Sequence, residues 1–206
     1  VIAAKLLGIK TAILEQNALP GLTNKTLGRF VDRVYISFEE ARRFFPGGRT
    51  ILSGNPVRRE ILRKIEDRRG RHEKFSVLVF GGSQGATAIN AAFLDAAEYL
   101  TDIWNGLRIV HQTGSEGHEM VEAAYKRKNL KVELHKFIDD TGEAYNSADL
   151  VVCRAGATSI AEITASGIAS ILIPYPFASD DHQKVNAWCL SDAGAAVMIK
   201  QDRLTG

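Results

Sequence analysis

The sequence predicts an α/β protein built on a doubly wound parallel sheet. From Phe75 onward, short β-rich runs alternate with helical stretches. Those β-rich runs are almost wholly apolar, as strands covered on both faces must be. Strands that alternate with helices need crossover connections, and a crossover returns each strand parallel to its neighbour.

In chain order the strands are read at Ser76–Phe80, Arg108–His111, Lys131–His135, Leu150–Cys153, Ala169–Pro174 and Ala195–Ile199. Helical pattern fills Thr87–Leu100, Gly117–Lys128, Thr141–Ser147, Thr158–Ser166 and His182–Asp192. The first part of the chain is built differently. Val1–Gly8 reads as the tail of a helix closed by a glycine. Thr11–Leu14 and Val34–Ile36 read as strands, Gly21–Phe30 as a helix, and Ile51–Leu52 as a further short strand. Gly54-Asn55-Pro56 then breaks the pattern. Arg58 to Lys74 is crowded with charge, which suits a solvated helix and linker between units. The sharper alternative puts one of its arginines on a phosphate. With no Met at its start and a final stretch, Asp202–Gly206, that stops where a helix could begin, the chain is expected to be a fragment.

The 206 residues are 45% apolar and 24% charged, ordinary for a protein with a packed core. A net charge of +2 gives no electrostatic footprint for nucleic acid. Cys153 and Cys189 form no CxxC pair and no zinc spacing, so both are expected as buried thiols in a reducing compartment. Apolar runs such as Ser170–Pro174 are strand-length and far short of a membrane span. Val1–Leu7 does not read as a signal peptide.

Three turns carry candidate chemistry. Gly81-Gly82-Ser83-Gln84-Gly85-Ala86 joins a strand to a helix. Glycine lets the backbone turn sharply and a ligand approach it, and the free N–H groups of a helix start favour an anion such as phosphate. Ser83 would add a hydroxyl donor. The motif is neither GxGxxG nor a Walker A, and an unliganded tight turn is the alternative. Cys153 to Glu162 is a second strand-to-helix turn, with Thr158 as N-cap. Glu162 shares a face with Thr158, and a carboxylate there can accept both ribose hydroxyls or simply complement the helix dipole. In the third, Pro174-Tyr175-Pro176 leads to Asp180-Asp181-His182-Gln183-Lys184-Val185-Asn186. Gln183 and Asn186 lie three apart on one helix face, and amides suit sugar hydroxyls; an ordinary surface helix start is equally consistent. Phe137-Ile138-Asp139-Asp140 could hold a flat base through backbone groups. The adjacent aspartates Asp139-Asp140 and Asp180-Asp181 do not converge, so no metal site is expected. His111 and His135 end strands and read as ordinary residues.

Taken in order along nearly the whole chain, these stretches resemble glycosyltransferase family 28, the UDP-N-acetylglucosamine transferases of the lipid-linked peptidoglycan pathway. Glu15-Gln16-Asn17, Pro20-Gly21-Leu22-Thr23-Asn24 and Gly54-Asn55-Pro56-Val57-Arg58 belong to the same resemblance. It implies a GT-B architecture of two Rossmann-like domains. Residues 1–57 would be the end of the N-terminal, acceptor-side domain, and 58–206 the nearly complete C-terminal, donor-binding domain. The family's donor contacts fall on Asn17, Arg58, Ser83, Ile138, Ala157, Thr158, Ser159, Ile160, Ala161, Glu162 and Gln183, supported by Gly81, Gly82, Gln84, Gly85 and Asn186. Ile138 would hold uracil through its backbone, Glu162 the ribose, Ser83 and Arg58 the diphosphate, and Gln183 the sugar. The implied partners are UDP-GlcNAc and a lipid-linked muramyl-pentapeptide acceptor, with no metal or other cofactor. The implied place is the cytoplasmic face of the bacterial membrane, reached through the N-terminal half. The general base is expected upstream of Val1. Leu14 departs from the His usual before Glu-Gln-Asn. A non-catalytic UDP-sugar-binding module and another GT-B enzyme, such as a UDP-GlcNAc 2-epimerase, are the alternatives.

Overall fold

A computed structural model describes residues 1–66, 73–82, 85–178 and 181–206. The first unit opens with α1 (Ile2–Leu6) and continues through β1 (Ala12–Glu15), α2 (Leu22–Leu27), β2 (Arg33–Ile36), a 3-10 helix (Glu39–Phe44) and β3 (Thr50–Leu52). The three strands form a parallel sheet in the order β1-β2-β3. Val31, Val34, Ile36, Ala41 and Phe45 make its small core.

After α3 (Arg59–Glu66) the second unit alternates regularly. Its elements are β4 (Phe75–Phe80), α4 (Thr87–Tyr99), β5 (Leu107–Gln112), α5 (His118–Arg127), β6 (Glu133–His135), α6 (Thr141–Asn146), β7 (Leu150–Cys153), α7 (Ala157–Ser166), β8 (Ala169–Leu172), α8 (His182–Asp192) and β9 (Ala196–Met198). The sheet is six-stranded and parallel, in the order β6-β5-β4-β7-β8-β9. The chain winds outward from β4 through β5 to β6. It then returns to the other side of β4 with β7. Such a reversal leaves a crevice at the carboxyl ends of the two strands beside it.

Alternation along β4 explains why the strands are apolar throughout. Val77 and Val79 pack with Ile89, Leu94, Ile109 and Val121 on one face, while Leu78 packs with Val151, Ile160, Ile163 and Leu172 on the other. The elements agree with the expected pattern to within a few residues. The 3-10 helix over Glu39–Phe44 has no counterpart in the sequence reading. Two expectations need correction. The charged segment is more than a solvated linker, because Ile61 of α3 is fully buried in the main core. Helix α7 starts at Gly156 with no side-chain cap, so Thr158 lies inside the helix rather than capping it. Arg68, Arg69 and Arg71 lie outside the described residues. Cys153 is buried and Cys189 half-buried, and both are free thiols.

His111 is part of the packing. It is fully buried, with Nδ1 2.9 Å from the Tyr125 hydroxyl and Nε2 3.1 Å from Asn90 Oδ1. Asn90 Nδ2 donates to the Thr113 carbonyl, which leaves Oδ1 as acceptor. Nε2 therefore carries the hydrogen of a neutral imidazole, and Nδ1 accepts from Tyr125. Burial pushes the His111 pKa down to about 4.

Asn186, also fully buried, ties the two units together. Its Oδ1 accepts from the Ala18 N–H at 2.8 Å, and its Nδ2 donates to Asn17 Oδ1 at 3.0 Å and to the Ala155 carbonyl at 3.3 Å.

Asn186→Ala should therefore lower the unfolding free energy by about 3 kcal/mol, because it strands a buried N–H at Ala18 and a carbonyl at Ala155. Urea denaturation checks this; a loss under about 1 kcal/mol would show that water replaces the amide. His111 predicts an acid-side loss of stability. The imidazole is neutral in the folded state and binds a proton near pH 6.5 when unfolded, so its contribution is complete above that pH. It declines as pH falls from 6.5 towards 4, by about 3 kcal/mol in total. Unfolding free energies across that window should show the slope in the wild type and a shallower one in His111→Gln.

Candidate functional site

The first turn follows β4. Gly82 and Gly85 take φ of +95° and +78°, values that favour glycine. At Gly85 the requirement is also spatial: a Cβ would lie 2.1 Å from the Thr113 carbonyl oxygen. The Gly82 carbonyl accepts from the Gly85 N–H at 3.0 Å and from Gln112 Nε2 at 2.9 Å. Ser83 and Gln84 lie outside the described residues. Helix α4 then begins without a side-chain cap.

The second turn follows β7, and α7 also begins uncapped. Glu162, one turn in, is buried. Arg58 Nε and Nη2 reach its Oε1 at 3.0 and 2.9 Å. The Tyr145 phenol lies beside the same carboxylate, and burial above all raises its pKa. Arg58, read from the sequence with the diphosphate, forms an ion pair with Glu162. A buried carboxylate needs a counter-charge, and Arg58 supplies it.

Arg154 stands in this turn as well. Nη1 donates to the Ile173 and Pro174 carbonyls, Nη2 reaches Gln201 Oε1 at 2.7 Å, and the guanidinium sits 5.3 Å from the Tyr175 ring centre. Among the described residues no carboxylate pairs with it. Partial burial lowers its pKa.

In each of the other two loops a side-chain amide accepts from the backbone. The Ile138 N–H donates to Gln112 Oε1 at 2.8 Å, and the Tyr175 N–H donates to Gln183 Oε1 at 3.0 Å. Asp140 caps α6 by accepting from the Glu143 N–H.

These turns enclose two adjoining cavities. The first, about 460 Å³, is walled by Leu78, Phe80, Phe137, Ile138, Ala144 and Tyr145, with Glu162, Arg58, Gln112 and Thr158 as polar groups. The second, about 670 Å³, is lined by Gly81, Gly82, Gly85, Ala86, Thr87, Arg154, Gly156, Tyr175, Gln183 and Gln201. Gly82 and Ser159 belong to both, so the two are compartments of one crevice. The first offers an apolar slot with one carboxylate. The second offers two uncapped helix N-termini and a guanidinium without a carboxylate partner among the described residues, an arrangement that favours an anion.

The crevice gathers Gly81, Gly82, Gly85, Arg58, Ile138, Thr158, Ser159, Glu162 and Gln183. Ala157, Ile160 and Ala161 line neither cavity, and Ile160 packs in the core. Asn17 and Asn186 also line neither. Asn17 is held by Glu15 and Asn186, and the polar atoms of Asn186 are taken up by protein, so its place is behind the site rather than on a sugar. Gln112, Arg154, Tyr145 and Gln201 were not singled out from sequence. Arg154 stood inside a quoted motif, and Gln112 one residue beyond an expected strand end; neither carries a local signal of its own. Among the described residues no cluster of three or more potential metal ligands occurs.

Residues 76–206 match the glycosyltransferase family 28 C-terminal domain, and residues 1–36 the family 28 N-terminal domain. A Myxococcus xanthus protein named UDP-N-acetylglucosamine–N-acetylmuramyl-(pentapeptide) pyrophosphoryl-undecaprenol N-acetylglucosamine transferase is 55% identical over 206 residues, covering 100% of this chain and 54% of that protein. A Syntrophus aciditrophicus protein of the same name is 53% identical, covering 100% and 57%. The crystal structure of Acinetobacter baumannii MurG superposes with a TM-score of 0.81 at 36% identity, over 99% of this chain and 57% of that one. A UDP co-structure of S. aureus MnaA, at 13% identity and a TM-score of 0.60 over 97% and 58%, shares the fold alone. The chain spans about half the length of the curated relatives it matches.

Proposed function

The chain belongs to glycosyltransferase family 28, and from that premise we propose that it is the donor-binding part of an inverting hexosyltransferase. The reaction moves GlcNAc from UDP-GlcNAc to the muramyl sugar of undecaprenyl-diphosphate-linked MurNAc-pentapeptide, converting lipid I to lipid II. Residues 1–57 go with the acceptor-side domain and 58–206 form the donor domain. The observation that carries the donor assignment is the two-compartment crevice: an apolar slot with a buried carboxylate opens into a polar cavity built for an anion. The slot takes the nucleoside, with Glu162 accepting the ribose hydroxyls while Arg58 holds the carboxylate in position. The polar compartment takes the diphosphate and the sugar, with Gln183 at the sugar.

In the transfer, an acceptor hydroxyl attacks the anomeric carbon and gives up its proton to a general base. The bond to the distal phosphate oxygen breaks, and its electron pair leaves with UDP. Negative charge grows on the diphosphate in the transition state. The N-termini of α4 and α7 and the guanidinium of Arg154 are already aimed at that compartment, so they stabilise the charge without reorganising. No helix among the described residues is long and apolar enough to cross a membrane. The lipid-linked acceptor places the reaction at the cytoplasmic face of the bacterial membrane, with the protein bound peripherally.

Two titrations test this reading. Glu162→Ala should weaken UDP and uridine alike by about tenfold or more, since a charge-assisted hydrogen bond contributes roughly 1.5–3 kcal/mol; unchanged uridine affinity in a folded variant removes Glu162 from the ribose. Calorimetry with UDP-GlcNAc should give the same affinity in EDTA as in magnesium, because protein groups supply the positive charge. A strict dependence on a divalent ion, or no binding in either buffer, would sink the assignment.

A further inference from the structure

Gln112 lies at the carboxyl end of β5, one strand away from both turns that matter. In register it faces Phe80 on β4 and His135 on β6. Its side chain is buried, 5% exposed, and forms part of the wall of the first cavity. The two ends of its carboxamide serve different loops. Nε2 donates to the Gly82 carbonyl at 2.9 Å, in the turn shared by both compartments. Oε1 accepts from the Ile138 N–H at 2.8 Å, in the loop that closes the first. The Gly82 carbonyl also accepts from the Gly85 N–H, so the Gln112 contact bears directly on the shape of the glycine turn.

This bridge needs an amide. A carboxylate can accept from Ile138 but meets the Gly82 carbonyl with another acceptor; an ammonium can donate to Gly82 but has nothing for the Ile138 N–H; an apolar side chain serves neither. Because one planar group satisfies both loops, a shift of either tilts the carboxamide and strains the bond to the other. Burial makes that strain costly, since water cannot replace the lost partner.

We propose that Gln112 is the positioning residue that couples the two compartments of the crevice. Filling the nucleoside slot against the Ile138 loop sets the Gly82 turn for a diphosphate, and filling the diphosphate compartment tightens the nucleoside slot. The inference rests on the donor-site reading above. It predicts that diphosphate and nucleoside bind cooperatively within one ligand, and that this cooperation passes through a residue that need not touch the diphosphate.

The experiment measures affinities of uridine, UMP and UDP for the wild-type chain, Gln112→Met and Gln112→Glu. Melting midpoints and hydrogen exchange at the Ile138 amide are recorded for each. In the wild type, affinity should climb from uridine to UDP. In Gln112→Met the gain on going from uridine to UDP should shrink by about tenfold, with Ile138 exchanging faster. Gln112→Glu keeps an acceptor for Ile138 and sets a carboxylate against the Gly82 carbonyl. Uridine affinity and Ile138 protection should therefore survive, while the diphosphate gain falls at least as far as in Gln112→Met. Because Glu is nearly the same shape, this variant carries the test if the Met variant fails to fold. A purely structural Gln112 would lower all three affinities by one common factor as the midpoint drops, and that result overturns the coupling. So does an intact diphosphate gain in folded variants. A wild-type chain that binds no UDP refutes the donor-site reading itself, whereas normal wild-type binding with intact gain in the variants refutes only the coupling.

Discussion

Parallel strand pairing is the constraint on which everything else in this protein depends. When every strand of a sheet runs the same way, every strand-to-helix turn emerges at one edge. The six strands of the second unit obey this, and the turns after β4, β6, β7 and β8 therefore meet at one place although they span a hundred residues of sequence. The reversal of winding between β4 and β7 then separates the two richest turns enough to leave a crevice rather than a packed seam. Helices that leave that edge present their N-termini to it, so an anion-attracting field follows from topology before any side chain is chosen.

Side chains refine that field in opposite directions in the two compartments. In the apolar slot the dominant charge is a buried carboxylate, and Arg58 balances it. In the polar compartment carbonyls and an amide accept the hydrogen bonds of Arg154 and an aromatic ring lies beside it, and none of these partners cancels its charge. The difference suits the proposed nucleoside diphosphate, with acceptors for hydroxyls at one end and positive potential at the other.

Buried amides do the mechanical work. Asn186 spans the two units, and Gln112 spans two loops. Each can donate and accept at once in a fixed geometry, so each holds two backbones in register without bringing a charge into the interior. The His111 network serves the same end behind the glycine turn, since Asn90 holds the Thr113 carbonyl against which Gly85 must pass.

The sequence by itself determined the alternation of strands and helices, the apolar character of the doubly covered strands, and the residues of both glycine-bearing turns. Periodicity and turn chemistry are local, and they survive in a one-dimensional string. It also singled out Glu162, Ile138 and Gln183, because each sits in or just after a turn at a strand's carboxyl end. Partnership was decided only in three dimensions. Arg58 lies 104 positions from Glu162 and Asn186 lies 169 from Asn17, and no local pattern tells a guanidinium which carboxylate it will meet. The same holds for roles. Asn186 and Gln183 share a helix face, yet one is wholly buried between the units and the other stands at the crevice, because helix α8 passes from the rim of the site into the contact with Ala18. Gln112 and Arg154 became visible only once the sheet had brought their neighbours within hydrogen-bond reach, for a hydrogen bond is fixed by distance in space and is blind to distance along the chain.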